Sequence, residues 1–428
     1  MRQPAVSTLN LAHLLPMSAV WAGQEGNAHL KGPPLIVTRT DGATPFRLVT
    51  HIGDVGHTLV VGPTGMGKSV LLSVLAMQFR RYPGARVLAF DMGRSIRATI
   101  LGLGGEYYDL GSDGSIAFQP LARIDQDGWR TWAAEWVEAR LMQEGLAVGP
   151  AERQAVWSAL VSLATAPVEQ RTLTGLSVLL QSNALRQALQ PYVLGGAHGR
   201  LLDADHDRLG TGDVQAFEME ELMHSRPAAM AVLRYLFARF EERLDGAPTL
   251  LILDEAWLFL DDPVFAQRIR QWLKTLRKKN ASVVFATQSL ADVRDCTIAP
   301  AIVESCASRI FLPNPQATEP QIRTIYESFG LNARQIEIVA RAEPKQDYYY
   351  QSRLGNRVFD LGLGPVALAF AGASTPEHQR AIDAVASSAP PAEFAAGWLR
   401  HCGLHWAAEL TGAFPENTAN LVPKGVFA

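Results

Sequence analysis

Eight residues near the start of the chain, Gly62-Pro63-Thr64-Gly65-Met66-Gly67-Lys68-Ser69, fit the spacing G-x-x-x-x-G-K-[S/T] at every fixed position. Those types in that order suit a phosphate cradle. The glycines let successive backbone N–H groups turn toward phosphate oxygens, and the N-terminus of a following helix adds partial positive charge. Residues Gly62, Pro63, Thr64, Gly65, Met66, Gly67, Lys68, Ser69 and Val70 are the candidate nucleotide binders. Lys68 would reach the β- and γ-phosphates, while the Ser69 hydroxyl would ligate Mg2+. The cofactors implied are ATP and Mg2+.

The run Leu250-Leu-Ile-Leu253 followed by Asp254-Glu255 is the second chemical signal. An apolar strand ending in two acids puts carboxylates at the C-terminal edge of a parallel sheet, where ligands bind in open α/β folds. Asp254 is expected to hold Mg2+ through water, and Glu255 to orient and deprotonate the water that attacks the γ-phosphate. The next strand ends Ala286-Thr287-Gln288, which makes Gln288 a candidate sensor of the γ-phosphate; the plainer alternative is the start of a loop. Between these strands a helix opens at Asp262-Pro263, buries Phe265, Ile269, Trp272 and Leu276, and ends Arg277-Lys-Lys-Asn280. Cations in a last turn complement the helix dipole. The alternative for Arg277 is an arginine finger on a neighbouring subunit's nucleotide, with Arg309 as a second candidate. Two patterns only imitate sites. Asp203-x-Asp205-x-Asp207 begins like a calcium loop, but Arg208 stands where Gly is needed and Val214 where Glu is needed. Trp129, Trp132 and Trp136 repeat at i, i+3, i+7, the spacing of a buried helix face.

The elements that must carry these residues follow from hydrophobic runs. The phosphate loop sits between the run 57–61 and a helical pattern of Val70, Leu71, Val74, Leu75 and Phe79. Further short, continuously apolar runs at 86–90, 249–253, 282–286 and 309–312 read as strands buried on both faces. Helices between most of them point to a doubly wound α/β core with a mainly parallel sheet. About 155 residues separate the second of these runs from the third, far more than a crossover helix requires. Helical patterns at 128–145, 150–165, 172–190 and 227–244 fall within that interval. The resulting division is a connector over 1–45 with a short strand at 35–37, a core over 46–127 and 200–375, an all-helical insertion over 128–199, and a tail over 376–428 with one helix at 392–401. Near the end of the core, strands are expected at 347–353, 357–361 and 366–370, with Gly355-Asn356 as the turn between the first two.

Composition removes several classes. The 428 residues carry a formal net charge of −3, so no global positive field recruits nucleic acid; DNA contact would need a local patch. Cys296, Cys306 and Cys402 are odd in number and far apart, which excludes a disulfide framework or a C-x-x-C metal site and suits a reducing compartment. No apolar run approaches the roughly 20 residues of a membrane span. The expected location is cytoplasmic.

The stretch from His51 to Ser69 resembles the TrbE-type conjugative-transfer ATPases of type IV secretion systems. The resemblance continues through Phe90-Asp-Met-Gly-Arg-Ser95, Leu251-Ile-Leu-Asp-Glu-Ala-Trp257, Leu276-Arg-Lys-Lys-Asn280, Phe285-Ala-Thr-Gln288 and Ile310-Phe-Leu-Pro-Asn314, and covers roughly residues 10–385. It implies a RecA-like P-loop NTPase core with an inserted helical subdomain, ATP hydrolysis, and assembly into homo-oligomers, most simply hexamers. It places such a protein peripherally at the cytoplasmic face of the inner membrane, with secretion-channel proteins and a coupling protein as partners. It also supports Arg277 as a residue that acts on nucleotide. Members usually carry a further N-terminal domain, so the chain is expected to correspond to the C-terminal motor half. Two other readings stay open: a DNA-translocating motor of the coupling-protein kind, and a nucleotide-gated assembly scaffold with little turnover.

Overall fold

The computed structural model describes residues 7–8, 20–42, 44–111, 116–255 and 263–411. Its strands are β1 (Ile36–Thr38), β2 (Phe46–Leu48), β3 (Thr58–Val61), β4 (Arg86–Asp91), β5 (Glu106–Asp109), β6 (Val214–Glu218), β7 (Thr249–Leu253), β8 (Ala281–Thr287), β9 (Ser308–Phe311), β10 (Asp347–Ser352) and β11 (Gly355–Asp360). The helices that matter below are α1 (Lys68–Phe79), α2 (Arg97–Gly102), α3 (Asp127–Gln143), α4 (Pro150–Leu163), α5 (Leu173–Leu179), α6 (Asn183–Leu189), α7 (Arg226–Arg243), α8 (Pro263–Thr275), α9 (Pro365–Ala371), α10 (Pro376–Ser388), α11 (Phe394–His401) and α12 (His405–Leu410). They form two compact units, with described residues within Met1–Lys68, Trp257–Lys274 and Thr287–Leu363 for the first, and within Ser69–Ala256, Thr275–Ala286 and Gly364–Ala428 for the second.

In the first unit β3 runs parallel to β9, while β10 pairs antiparallel with both β9 and β11. The hairpin β1–β2 adds Phe46 to a ring cluster with Trp21, Tyr350 and Phe359, at centroid separations of 5.4 to 5.9 Å. The β10–β11 loop is Arg353-Leu354, because Ser352 pairs with Gly355. Gly355-Asn356 is therefore strand, not the expected turn. Gly355 is needed for close packing: a Cβ there would lie 2.6 Å from the Trp21 ring.

In the second unit the order is β8-β7-β4-β6-β5, all parallel. Leu250, Leu251, Ile252 and Leu253 are buried, as are Val283, Val284, Phe285 and Ala286, in accord with strands covered on both faces. Helices α3 to α6, from the expected insertion, belong to this unit. The 172–190 pattern is two helices rather than one, since Ser182 accepts from the Leu185 N–H as an N-cap and starts α6 afresh. Trp136 is fully buried and donates its indole N–H to the Ala231 carbonyl at 3.0 Å, so the tryptophan stripe is packing surface.

Three further expectations need correction. Residues 366–370 form helix α9, not a strand; Pro365 takes a first-turn position where its fixed φ favours the helix. The described part of the tail holds three α-helices, α10, α11 and α12, instead of one. They pack with α2 and α9 through Ala98, Phe370, Ile382, Phe394, Trp398 and Leu399, so these tail residues belong to the core. Strands β2, β5 and β6 stood in no apolar run: β5 reads Glu-Tyr-Tyr-Asp, half-buried and paired only with β6.

Candidate functional site

The phosphate loop leaves β3 and enters α1 with the backbone the motif requires. Gly65 and Gly67 have φ of +82° and +100°, a region that favours glycine. The loop's start is pinned where the Gly62 N–H donates to the Thr287 carbonyl at 3.1 Å, and a Cβ on Gly62 would lie 2.4 Å from that of Leu312. Thr64 Oγ1 donates to Gln288 Oε1 at 2.5 Å, which brings the sensor candidate to the phosphate loop within one compact unit. Lys68 is buried. Nothing in residue types or spacing marked Tyr348, yet its hydroxyl donates to the Gly67 carbonyl at 3.2 Å. A Cβ on Gly67 would meet that hydroxyl oxygen at 2.7 Å. The one sequence signal is Tyr348-Tyr349-Tyr350 in a strand, where alternation aims the first and third to one face.

In the second unit the carboxylate pair stands at the end of β7, as its apolar run implied. The Asp254 N–H donates to the Phe90 carbonyl at 3.0 Å, continuing the ladder with β4, and Asp254 Oδ1 accepts from the Glu255 N–H at 3.1 Å. Both acids are buried. Glu255 has φ of +52°, uncommon for a residue with a side chain and costing of order 1–3 kcal/mol. Such strain persists only where surrounding structure imposes it, and it re-aims this side chain at the strand's end. Ser69 follows Lys68 on α1, whose Leu71, Leu72, Val74, Leu75, Ala76 and Phe79 are all buried.

Beside Asp254 lies a second acidic group that the sequence did not disclose. Asp91 ends β4 and Glu218 ends β6, and Tyr107 of β5 donates its hydroxyl to Asp91 Oδ2 at 3.1 Å and to Glu218 Oε2 at 2.9 Å. Glu218 also accepts from the N–H groups of Gly93, Arg94 and Glu220, and Asp91 from Ser95 Oγ and the Ile96 N–H. Burial, followed by the nearby Glu218 charge, raises the Asp91 carboxyl to about 7, and burial raises Glu218 as well. The stretch Asp91–Ser95 is thereby locked around these carboxyls, with Gly93 and Arg94 both at positive φ. Gln379 of α10 donates to the Arg94 carbonyl, and Asp383 pairs with Arg97 at 2.5 Å.

The two arginine candidates separate. Arg309 donates to the carbonyls of Phe329 and Val303, so its guanidinium serves the first unit internally. Arg277 lies exposed in the 3-10 turn Leu276–Lys279 after α8; the expected stripe of Phe265, Ile269 and Trp272 on α8 and Leu276 in the turn is buried. Asn280 ends that turn at φ +58°. Asp262, the proposed cap of α8, lies outside the described residues, and so does Trp257 of the Leu251–Trp257 motif. The acids that imitated a calcium loop are engaged elsewhere: Asp203 accepts from the Thr174 and Leu194 N–H groups, and Asp207 pairs with Arg239.

Strand, glycine loop and helix in this order are those of a P-loop NTPase fold. A family model described as the TraG P-loop domain matches residues 178–354. Within that class the chain is a relative of the conjugal transfer protein TrbE of Rhizobium radiobacter, 46% identical over 414 residues, which are 94% of this chain and 50% of that protein. The chain thus spans half the length of this relative. Among solved structures, VirB4 of Thermoanaerobacter pseudethanolicus matches with a TM-score of 0.60 at 17% identity, over 78% of this chain and 98% of that one. The plasmid coupling protein TrwB, in complex with the non-hydrolysable ATP analogue ADPNP, matches with a TM-score of 0.51 at 17% identity, over 84% and 93%. At such identities these two structures speak to the fold alone. Among the described residues no helix is long and apolar enough to cross a membrane.

Proposed function

We propose that this chain hydrolyses ATP with Mg2+ and couples the cycle to conjugative transfer through a type IV secretion channel. The observation that carries the reading is the phosphate loop itself, with glycines at positive φ ahead of a buried Lys68 and Gln288 hydrogen-bonded to Thr64. Its support is the likeness to TrbE over almost the whole chain. In this reading the loop from Gly62 to Val70 surrounds the phosphates, backbone N–H groups of Gly65, Gly67, Lys68, Ser69 and Val70 hold them, and Lys68 neutralises the β- and γ-oxygens. Ser69 and Asp254 would hold Mg2+. Glu255 takes the proton of the attacking water, and Gln288 senses the γ-phosphate. When bound, Mg2+ would supply charge neutralisation on the phosphates. Arg277, exposed and followed by Lys278 and Lys279, would act on the nucleotide of a neighbouring copy in a hexamer at the cytoplasmic face of the inner membrane. The proposed boundaries keep residues 128–199 as the helical insertion.

A phosphate-release assay tests this. Mg2+-dependent turnover that disappears in Lys68→Ala is the expected result, and equal turnover in that variant would sink the assignment. A second reading, a motor that acts on DNA, draws on the exposed face of α8, where Arg268, Arg270 and Lys274 stand with no acid between Pro263 and Thr275. Turnover stimulated by single-stranded DNA, with stimulation falling steeply as salt rises, would favour it.

A further inference from the structure

We propose that Tyr348 is a positioning residue for nucleotide: its hydroxyl fixes the Gly67–Lys68 peptide with the Lys68 N–H aimed at phosphate. The inference rests on the phosphate-loop reading and adds to it a residue outside the motif. Its basis is the hydrogen bond from Tyr348 Oη to the Gly67 carbonyl at 3.2 Å. In a planar trans peptide the carbonyl and the next residue's N–H point to opposite sides. A carbonyl held toward Tyr348 therefore turns the Lys68 N–H to the other side, into the loop.

Three observations make this a built arrangement. Gly67 has φ of +100°, so little besides the surroundings holds this peptide in one orientation, and glycine is the residue most free to flip. The tyrosine itself is immobile: it is 1% exposed, and its ring stacks on Phe359 at 5.4 Å and 22°, across the β10–β11 pair in which Tyr348 faces Phe359. The approach leaves no slack, since a Cβ on Gly67 would stand 2.7 Å from the hydroxyl oxygen and 3.5 Å from the Lys345 Cα. Lys345 itself sits at φ +63°, in the turn that delivers the chain to Tyr348. By contrast, Tyr350, on the same face of β10, spends its hydroxyl on the Val49 carbonyl and Ser308, away from the loop. A purely structural tyrosine at 348 would need only its ring; the hydroxyl is directed at a loop carbonyl whose orientation sets that of the Lys68 N–H.

The variant Tyr348→Phe keeps the stacked ring and removes the hydroxyl. Dissociation constants for a fluorescent ATP analogue and for inorganic pyrophosphate are measured on the wild type and the variant, with urea unfolding of the nucleotide-free proteins alongside. The expected result is affinity weaker by about three- to ten-fold for both ligands, the range of one hydrogen bond, with the urea midpoint of the free protein unchanged. Because the Lys68 N–H that the hydroxyl orients faces phosphate in both ligands, the two weaken by the same factor. Affinities within experimental error of wild type overturn the proposal, and so does a loss confined to the nucleoside-bearing ligand. A loss that merely parallels a lowered urea midpoint overturns it too, by making Tyr348 structural. Failure of the wild type to bind either ligand would instead refute the phosphate-loop reading.

Discussion

Lowering the pH from 8 to 5.5 should destabilise the first unit by about 3 kcal/mol through two histidines alone. His51 is buried against Asn27 and Thr50, its ring stacked on His29 at 5.5 Å. Burial, then the neighbouring His29 and His57, lowers it to about 3, and burial lowers His57 to about 4. The unfolded chain protonates both near 6.5. The folded state therefore refuses protons that the unfolded state accepts: stability is complete above about pH 6.5 and is lost as pH falls toward the folded values. At pH 5.5 the unfolded state gains about 1.4 kcal/mol per histidine, while the folded state gains almost nothing. The assay is urea unfolding at pH 8 and 5.5 on the wild type and on His51→Gln/His57→Gln. The double variant should lose about 3 kcal/mol less than wild type over this interval, whatever its stability at pH 8. Equal losses in the two proteins would show that these rings do not refuse the proton, and would refute the reasoning.

Asp91→Asn should behave oppositely, because an acid raised to about 7 when folded is most stabilising below its unfolded value near 3.8 and costs stability as pH rises through 7. Urea midpoints taken without Mg2+ should show the variant gaining on wild type from pH 5 to pH 8, by of order 2 kcal/mol; a constant difference would contradict a raised Asp91 carboxyl. Gly67→Ala should abolish ATP binding in a fluorescent-nucleotide titration, since φ +100° and the Tyr348 hydroxyl both exclude a Cβ; retained binding would mean the loop re-forms at little cost. Trp136→Phe should lower the unfolding free energy by about 1–3 kcal/mol by leaving the Ala231 carbonyl without its indole donor, as read by urea denaturation.

Much of the site was legible because it is local. The glycine spacing of 62–69 and the apolar strand ending in Asp254-Glu255 each sit within one stretch of chain, and parallel strands buried on both faces announce themselves as unbroken apolar runs. What stayed hidden depends on residues far apart in sequence. Tyr348 meets Gly67 across 281 positions, and Tyr107 bridges Asp91 and Glu218 from three strands. The strands β5 and β6 that bring those acids together were missed, since Glu106–Asp109 and Val214–Glu218 carry polar residues that periodicity does not count. Val366–Phe370 misled for a different reason: five apolar residues suit a strand or a buried helix equally, and Pro365 decides. Gly355 looked like a turn residue, yet it is glycine to admit the Trp21 ring.

The central claim, that this chain hydrolyses ATP using Glu255 as base, is tested most directly by Glu255→Gln. The exchange keeps the shape of a side chain held at φ +52° and removes its charge and its ability to take a proton. ATP dissociation constants and phosphate release are measured on the same preparations of wild type and variant. The expected result is unchanged or tighter ATP binding with turnover reduced by about 10²-fold or more. Turnover equal to wild type, with binding intact, would contradict it.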